Sequence, residues 1–185
     1  TKALLKSAQV FEYINHAADY GITVGKSSPD FAKVITRSRG VADGMSKGIQ
    51  FLMKKNKIEV ILGIGKLKRG KALEVTAADG SKKDYLAKNI ILATGSRSRE
   101  LPNLKQDGKN VIGYREAMTL EKMPKSMIII GTGAIGVEFA YFYHSMGCEV
   151  TLVEFLPNIM PREDVDVSKE LEKIYKKKLF LCRFT

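Results

Sequence analysis

The sequence predicts an α/β protein in which two helices and an antiparallel β-meander precede a Rossmann-type strand–turn–helix–strand unit. Three observations predict this order. Apolar residues recur at helical spacing over the first 55 residues, short strand patterns follow from residue 58, and G-x-G-x-x-G at residues 131–136 separates an apolar strand pattern from a helical one.

The first region is predicted to hold two helices. Apolar residues at three- and four-residue steps predict a helix from Ala3 to about Tyr20, stopped by Gly21. Ser28 is predicted to be the N-cap of a second helix, with Pro29 at its first position. That helix is expected to run to about Lys55.

The next region changes to strand patterns. We expect strands at Ile58–Ile64, Ala72–Ala77 and Asp84–Leu86, with a tight turn at Asp79–Gly80. Asn89–Ala93 is predicted to be a short, fully buried strand. A polar linker with a short helix near residues 115–120 follows.

The last region alternates strands and helices. Met127–Ile130 is predicted to be a buried strand, followed by the glycine turn and a helix to Met146 with Gly147 at its C-terminal cap. Glu149–Val153 is the predicted second strand. A further helix is expected at about residues 166–178.

The glycine turn has the context that dinucleotide binding requires. Gly131 allows the tight turn, Gly133 leaves room for a pyrophosphate, and Gly136 allows close helix–strand packing. Glu154, at the end of the second strand, can accept hydrogen bonds from an adenosine ribose. The first arginine after it is Arg162, so we expect NAD(H) rather than NADP(H). The alternative is a glycine-rich turn that binds no nucleotide.

Composition excludes several classes of protein. With 44% hydrophobic and 28% charged residues the chain is not expected to be disordered, and no apolar run is long enough to span a bilayer. The net charge of +11 could indicate a nucleic-acid binder, but the basic residues are dispersed and the tight run Lys176–Lys178 lacks interleaved aromatics. We therefore expect no nucleic-acid and no membrane partner. Cys148 is expected in the core, and His16 and His144 are expected to be structural.

Two glycine turns in one chain resemble a known family. The sequence Ala93-Thr94-Gly95-Ser96 after an apolar strand, followed by the fingerprint at residues 131–136, resembles the flavoprotein disulfide reductases of the FAD/NAD-linked pyridine nucleotide-disulfide oxidoreductase family. Residues 1–5 and 131–138 are most similar to the dihydrolipoyl dehydrogenases, the E3 components of 2-oxoacid dehydrogenase complexes.

The resemblance implies FAD and NAD as cofactors and assigns contacts to them. It implies FAD contacts from Lys2, Gly65, Thr94, Gly95 and Ser96. It also implies an NAD-binding turn and helix, a glutamate directed towards the nicotinamide (Glu138) and a ribose-binding acid (Glu154). The residues of that turn and helix are Gly131, Thr132, Gly133, Ala134, Ile135, Gly136, Val137 and Glu138. No catalytic residue and no metal ligand is assigned.

The implied fold is a partial FAD-binding domain at residues 1–115, a linker at 116–125, a truncated NAD-binding Rossmann domain at 126–178 and an atypical tail at 179–185. The start at Thr1 suggests a processed or truncated product. The family's redox cysteine pair, first Rossmann fingerprint and C-terminal His-Glu pair are missing from these 185 residues. We therefore expect the chain alone to be inactive.

The implied activity of the full-length parent is oxidation of dihydrolipoamide by NAD through FAD. Its implied partners are lipoyl domains of the complexes and a second copy of the parent in a homodimer, in the cytoplasm or the mitochondrial matrix. Alternatives are a mercuric reductase, a glutathione-reductase-like enzyme, an NADH oxidase, or a non-catalytic NAD-binding module.

Overall fold

The structure is a computed structural model that describes residues 1–178 and the backbone of residues 181–184. The chain divides into two compact units, one made of Thr1–Asp43 with Glu100–Thr185 and the other of Gly44–Arg99. The two units are groups of residues that contact one another, and such a division does not identify cofactor-binding domains. The domain bounds predicted from the sequence therefore stay a prediction.

The first helix follows the predicted span but ends in a different geometry. Helix α1 covers Lys2–Asn15, and a single 3₁₀ turn covers Ala17–Tyr20. Gly21 ends this turn in the left-handed conformation, with φ 72°. Leu4 and Ala8 are fully buried in the core of the first unit.

Helix α2, Phe31–Lys55, begins three residues later than the predicted cap. Asp30, not Ser28, caps it: the Asp30 side chain accepts a hydrogen bond from the Lys33 amide at 3.0 Å, and its carbonyl accepts one from Val34. A carboxylate at this position satisfies an amide that the helix cannot, which explains why the prediction was wrong. The first turns of α2 contact the core, whereas the apolar residues of its later turns are exposed (Val41, Met45, Ile49 and Leu52).

The second unit is built on a three-stranded antiparallel sheet in the order β1-β2-β3. Its strands are β1 (Ile64–Lys68), β2 (Ala72–Thr76) and β3 (Lys82–Leu86), joined between β2 and β3 by a turn in which Gly80 has φ 82°. The meander is confirmed, but the predicted strand at Ile58–Ile64 is wrong. All five residues of β2 pair with Ile64–Lys68, which leaves residues 58–62 without a partner on that strand.

The predicted buried strand at Asn89–Ala93 is not formed. Ile91 is 90% exposed and Leu92 is 71% exposed, and no described strand pairs with this segment. An apolar run forms a strand only where neighbouring strands take up its amides and carbonyls, which explains the error.

The first unit contains a parallel sheet in the order β4-β5-β6. Its strands are β4 (Ser126–Ile130), β5 (Glu149–Glu154) and β6 (Leu181–Phe184), the last described by its backbone alone. The helices along this part of the chain are α3 (Tyr114–Ala117), α4 (Ala134–Ser145) and α5 (Val165–Lys177).

The Rossmann-type order of elements is confirmed, with one correction. Strand β4 was predicted to be buried, but its residues alternate between exposed and partly buried. Ile128 and Ile130 are exposed, because no described element covers that face of the strand. Strand β6 lies within the segment predicted to be an atypical tail; residues 179, 180 and 185 of that segment lie outside the described residues.

The core of the first unit is centred on α4. Phe142 and Tyr143 are fully buried and stack edge to face, with ring centroids 5.0 Å apart. The Tyr143 hydroxyl donates to the Ala117 carbonyl, and the Tyr175 hydroxyl of α5 donates to the Val137 carbonyl at 2.8 Å. Cys148 is buried here as a free thiol, as predicted, and burial raises its pKa to about 11. This core fixes α4, and with it the turn that precedes the helix.

The described part of the chain contains neither a candidate membrane helix nor a candidate metal cluster. None of its helices is both long enough and apolar enough to cross a bilayer. None of its His, Cys, Asp and Glu side chains gather in a group of three or more able to hold a metal ion.

Candidate functional site

The candidate site is the glycine turn between β4 and α4. Gly131 leaves the strand with φ 95°, a left-handed value that favours glycine, and its amide donates to the Val153 carbonyl at 2.8 Å. A Cβ added at Gly136 would overlap the Gly131 carbonyl oxygen. The predicted roles of these two glycines in the turn and in close packing are therefore explained by the backbone itself.

Gly133 differs from the other two glycines. Its φ is −65°, which any residue adopts, and a Cβ added there would have no heavy atom within 4 Å. Nothing inside the described protein therefore requires glycine at this position. The open space adjoins the start of α4, where a ligand could approach the backbone.

The start of α4 offers hydrogen-bond donors. The Val137 amide is bonded to the Gly133 carbonyl, so the amides of the preceding turn have no partner within the helix. No acidic side chain lies in the first turn of α4, and none of the described side chains caps it. The partial positive charge of the helix end is therefore available to an anion, and the residues present fit a dinucleotide pyrophosphate.

Glu154 lies at the end of β5 and is joined to the glycine turn. Its Oε2 accepts hydrogen bonds from the amide of Thr132 at 2.9 Å and from the Thr132 hydroxyl at 2.8 Å. Its Oε1 accepts from the amides of Phe155 at 2.8 Å and Leu156 at 3.0 Å. The structure thus brings the predicted ribose-binding acid to the predicted turn.

The hydrogen bonds also set the charge of this carboxylate. Burial acts to raise the pKa of Glu154, but the amides of Leu156, Thr132 and Phe155 together with the Thr132 hydroxyl outweigh it, and the pKa lies below its ordinary value. Glu154 is therefore an anion at neutral pH.

Lys2 and Glu138, predicted to contact different cofactors, form an ion pair. The Lys2 Nζ lies 2.7 Å from the Glu138 Oε1. Lys2 is 87% exposed and Glu138 is partly buried, so the pair lies at the surface of the first unit. The adjacent Val137 side chain is buried in the core and faces away from solvent, whereas Ala134 and Ile135 are exposed.

The remaining predicted flavin contacts lie in the second unit. Thr94, Gly95 and Ser96 are exposed in an irregular segment, and Gly95 has φ 74°. Gly65 lies in β1, where an added Cβ would make an ordinary 3.4 Å contact with Leu73. The predicted flavin contacts stay a prediction.

Two features of these regions were missed by sequence reasoning. In the sequence Gly63-Ile64-Gly65, sterics require glycine at residue 63 and not at residue 65, since a Cβ at Gly63 would lie 2.6 Å from the Thr76 carbonyl oxygen. Met160 has φ 48°, and its amide donates to the Thr132 carbonyl at 3.0 Å. No sequence signal indicates the Met160 conformation, because a residue before proline favours an extended backbone.

Comparison with known proteins shows the family of this chain. The family model described as pyridine nucleotide-disulphide oxidoreductase matches residues 1–179. Dihydrolipoyl dehydrogenase from Zymomonas mobilis is 45% identical over 178 residues, covering 96% of this chain and 38% of the relative. Dihydrolipoyl dehydrogenase from Chlorobaculum tepidum is 47% identical over 177 residues, with the same coverage. The chain thus spans about two fifths of the length of these curated relatives.

Solved structures show the same fold. The crystal structure of LpdA from Mycobacterium tuberculosis matches with a TM-score of 0.87 and 26% identity, over 99% of this chain and 40% of that one. The flavoprotein disulfide reductase RclA from Escherichia coli shares the fold, with a TM-score of 0.77, 23% identity and coverage of 99% of this chain and 38% of that one. The match to nearly the whole chain, together with the glycine turn and its acid, places this chain in the pyridine nucleotide-disulphide oxidoreductase family.

Proposed function

We propose that this chain binds NAD(H) at the turn of residues 131–136. The observation that carries the proposal is the open space at Gly133, where no contact within the described protein excludes a side chain. A pyrophosphate in that space would meet the amides at the start of α4 and the positive end of the helix dipole. In the proposed complex Glu154 accepts hydrogen bonds from the adenosine ribose.

The charge of Glu154 supports NAD over NADP. A carboxylate whose pKa is lowered stays ionised at neutral pH, and a 2′-phosphate placed beside it would be repelled. No arginine follows Glu154 until Arg162. The proposed order of affinity is therefore NAD above NADP.

For the flavin we propose the contacts that the family resemblance assigns, from Lys2, Gly65, Thr94, Gly95 and Ser96. Glu138 is proposed to lie towards the nicotinamide. Its ion pair with Lys2 supports this role, because the lysine would fix the position of the carboxylate and offset its charge.

The whole protein is proposed to have the activity for which its relatives are named, dihydrolipoyl dehydrogenase. Dihydrolipoamide would lose two electrons and two protons to become lipoamide, while NAD⁺ takes up a hydride and one proton is released. FAD, when bound, supplies the electron transfer between the dithiol and the nicotinamide. We propose lipoyl domains of 2-oxoacid dehydrogenase complexes as partners, a homodimeric parent, and a cytoplasmic location or, as the alternative, the mitochondrial matrix.

The 185-residue chain is proposed not to turn over dihydrolipoamide by itself. Its two cysteines, Cys148 and Cys182, are too far apart in sequence to form the closely spaced redox pair of the family. The proposed function of this stretch of chain is therefore to provide the NAD site.

Titration calorimetry of the 185-residue chain with NAD tests the proposal. Gly133→Ala should leave the free energy of unfolding within about 1 kcal/mol of wild type, since only an N-cap preference is lost. It should weaken NAD binding on the order of tenfold or more, because the methyl group would occupy the pyrophosphate space. Gly25→Ala, also in open space with no positive φ, is the matched control and should bind NAD as wild type does.

Two results would contradict the proposal. One is a wild-type chain that is folded and binds no NAD. The other is a Gly133→Ala variant with wild-type affinity.

A further inference from the structure

Thr132 is the residue between the first two glycines of the turn, and it is almost completely buried, at 1% exposure. All of its polar groups have partners. The amide and the hydroxyl both donate to the Glu154 Oε2, and the carbonyl accepts from the Met160 amide. A buried residue whose polar groups are all hydrogen-bonded restricts the motion of the groups that bond to it.

Glu154 is held from both sides as a result. The backbone amides of Phe155 and Leu156 occupy Oε1, and Thr132 occupies Oε2 with two donors. A carboxylate bonded only at Oε1 could turn about its side-chain torsions, whereas bonds at both oxygens hold the plane of the group. The Thr132 hydroxyl is the side-chain member of this set.

The carbonyl of Thr132 holds the loop after β5 as well. That loop contains Met160, whose left-handed backbone is fastened through its amide to Thr132 and through its carbonyl to the Ser168 hydroxyl at 3.0 Å. Ser168 is buried on α5. Thr132 therefore connects the glycine turn, the acid of β5 and the following loop.

We propose that Thr132 is a positioning residue that sets the choice between NAD and NADP. Its hydroxyl holds the Glu154 carboxylate at the place where the ribose 2′-hydroxyl of NAD would donate to it and where a 2′-phosphate would be repelled. Without that hydroxyl Oε2 keeps only the Thr132 amide as a donor, so the carboxylate is held less firmly and both the attraction and the repulsion weaken. This inference rests on the proposed NAD site.

The test is calorimetry of NAD and NADP binding to the wild-type chain and to Thr132→Val and Thr132→Ser. Valine has nearly the shape of threonine without the hydroxyl, and serine keeps the hydroxyl. Thr132→Val should lose on the order of tenfold in NAD affinity, because the carboxylate that would accept from the ribose is held less firmly, and its ratio of NAD to NADP affinity should fall. Thr132→Ser should keep a ratio close to that of wild type.

A pH profile separates positioning from a purely structural role. Loss of the hydroxyl donor raises the pH at which Glu154 takes up a proton, so NAD binding by Thr132→Val should fail at a higher pH than binding by wild type. The free energy of unfolding of each variant is measured alongside. If the valine variant does not fold, Thr132→Ala, which introduces no branched methyl into the polar site, takes its place in both titrations.

Three results overturn the inference. The first is a folded hydroxyl-free variant, valine or alanine, with the wild-type NAD to NADP ratio. The second is an equal loss of that ratio in the serine and hydroxyl-free variants, which would indicate side-chain shape. The third is a folded wild-type chain that binds neither dinucleotide, and only this result removes the proposed NAD site together with the role of Thr132.

Discussion

Two segments of this chain have the same sequence pattern and different structures. Residues 89–96 and residues 127–133 each contain an apolar run followed by a glycine turn. In the second segment β4 pairs in parallel with β5, and the Gly131 amide continues the pairing to Val153. In the first segment no described strand pairs with the apolar run, and Ile91 and Leu92 are exposed.

The difference between the two segments shows that the conformation of the turn is a local property, whereas formation of the strand is not. Gly95 and Gly131 both adopt a left-handed conformation, with φ 74° and 95°, so the turn geometry follows from glycine alone. The strand does not follow from its apolar residues, because it needs hydrogen-bond partners on a neighbouring strand. A glycine turn thus becomes a candidate site only where a sheet and a helix hold it.

The largest expected effect compares a buried residue of β5, the strand that pairs with the second segment, with an exposed residue of the first segment. Leu152 of β5 is fully buried, so Leu152→Ala should lower the free energy of unfolding of its unit by about 2–5 kcal/mol. Leu92→Ala should change stability by no more than about 0.5 kcal/mol, because the side chain is exposed. Urea unfolding of both variants checks this, and equal effects would show that Leu92 is buried, contrary to the structure.

A smaller effect is expected from adding a methyl group at Gly136, where α4 packs closely against the turn. Gly136→Ala should cost about 1–3 kcal/mol, because its methyl group would overlap the Gly131 carbonyl and force the backbone to move. Gly48→Ala is the control in helix α2: it meets open space and should stabilise the chain by about 0.5–1 kcal/mol. Thermal unfolding that places Gly136→Ala at or above wild type would contradict the close packing of α4 on the turn.

The smallest effect is the pH dependence contributed by Glu154. Its pKa in the folded chain lies below the ordinary value of 4.5, so its hydrogen bonds stabilise the fold above that pH, and the stabilisation is lost as the pH falls through the folded pKa. Glu154→Gln should therefore be less stable than wild type near pH 6, and the difference should shrink as the pH falls below 4.5. A difference that stays constant with pH would show that the charge of Glu154 does not stabilise the turn.

The sequence was sufficient where signals are local or repeated. The stop at Gly21, which ends the 3₁₀ turn after α1, the Asp79–Gly80 turn, and the order β4, turn, α4, β5 were predicted, because glycine conformation and helical spacing are properties of neighbouring residues. The end of α1 at Asn15 was not predicted. The glycine turn and its acid were brought together as expected, since the ends of adjacent parallel strands meet at one edge of the sheet.

Other features depend on partners that the sequence does not name. Whether Asn89–Ala93 pairs, and whether Ile128 is covered, depends on elements elsewhere in the chain. The hydrogen bonds of Thr132 with Glu154 and Met160 join residues 22 or more positions apart, and no residue type at any of the three announces them. The contacts that support the site could therefore be identified only from the structure.

The most direct test of the central claim is an NMR titration of the ¹⁵N-labelled chain with NAD. If the turn holds the pyrophosphate, the amides of Gly131 to Gly136 should shift in a saturable manner, and those of the Gly95 turn should not, since that turn is assigned to flavin. Saturable shifts confined to other residues, or no shifts from a folded chain at millimolar NAD, would contradict the account.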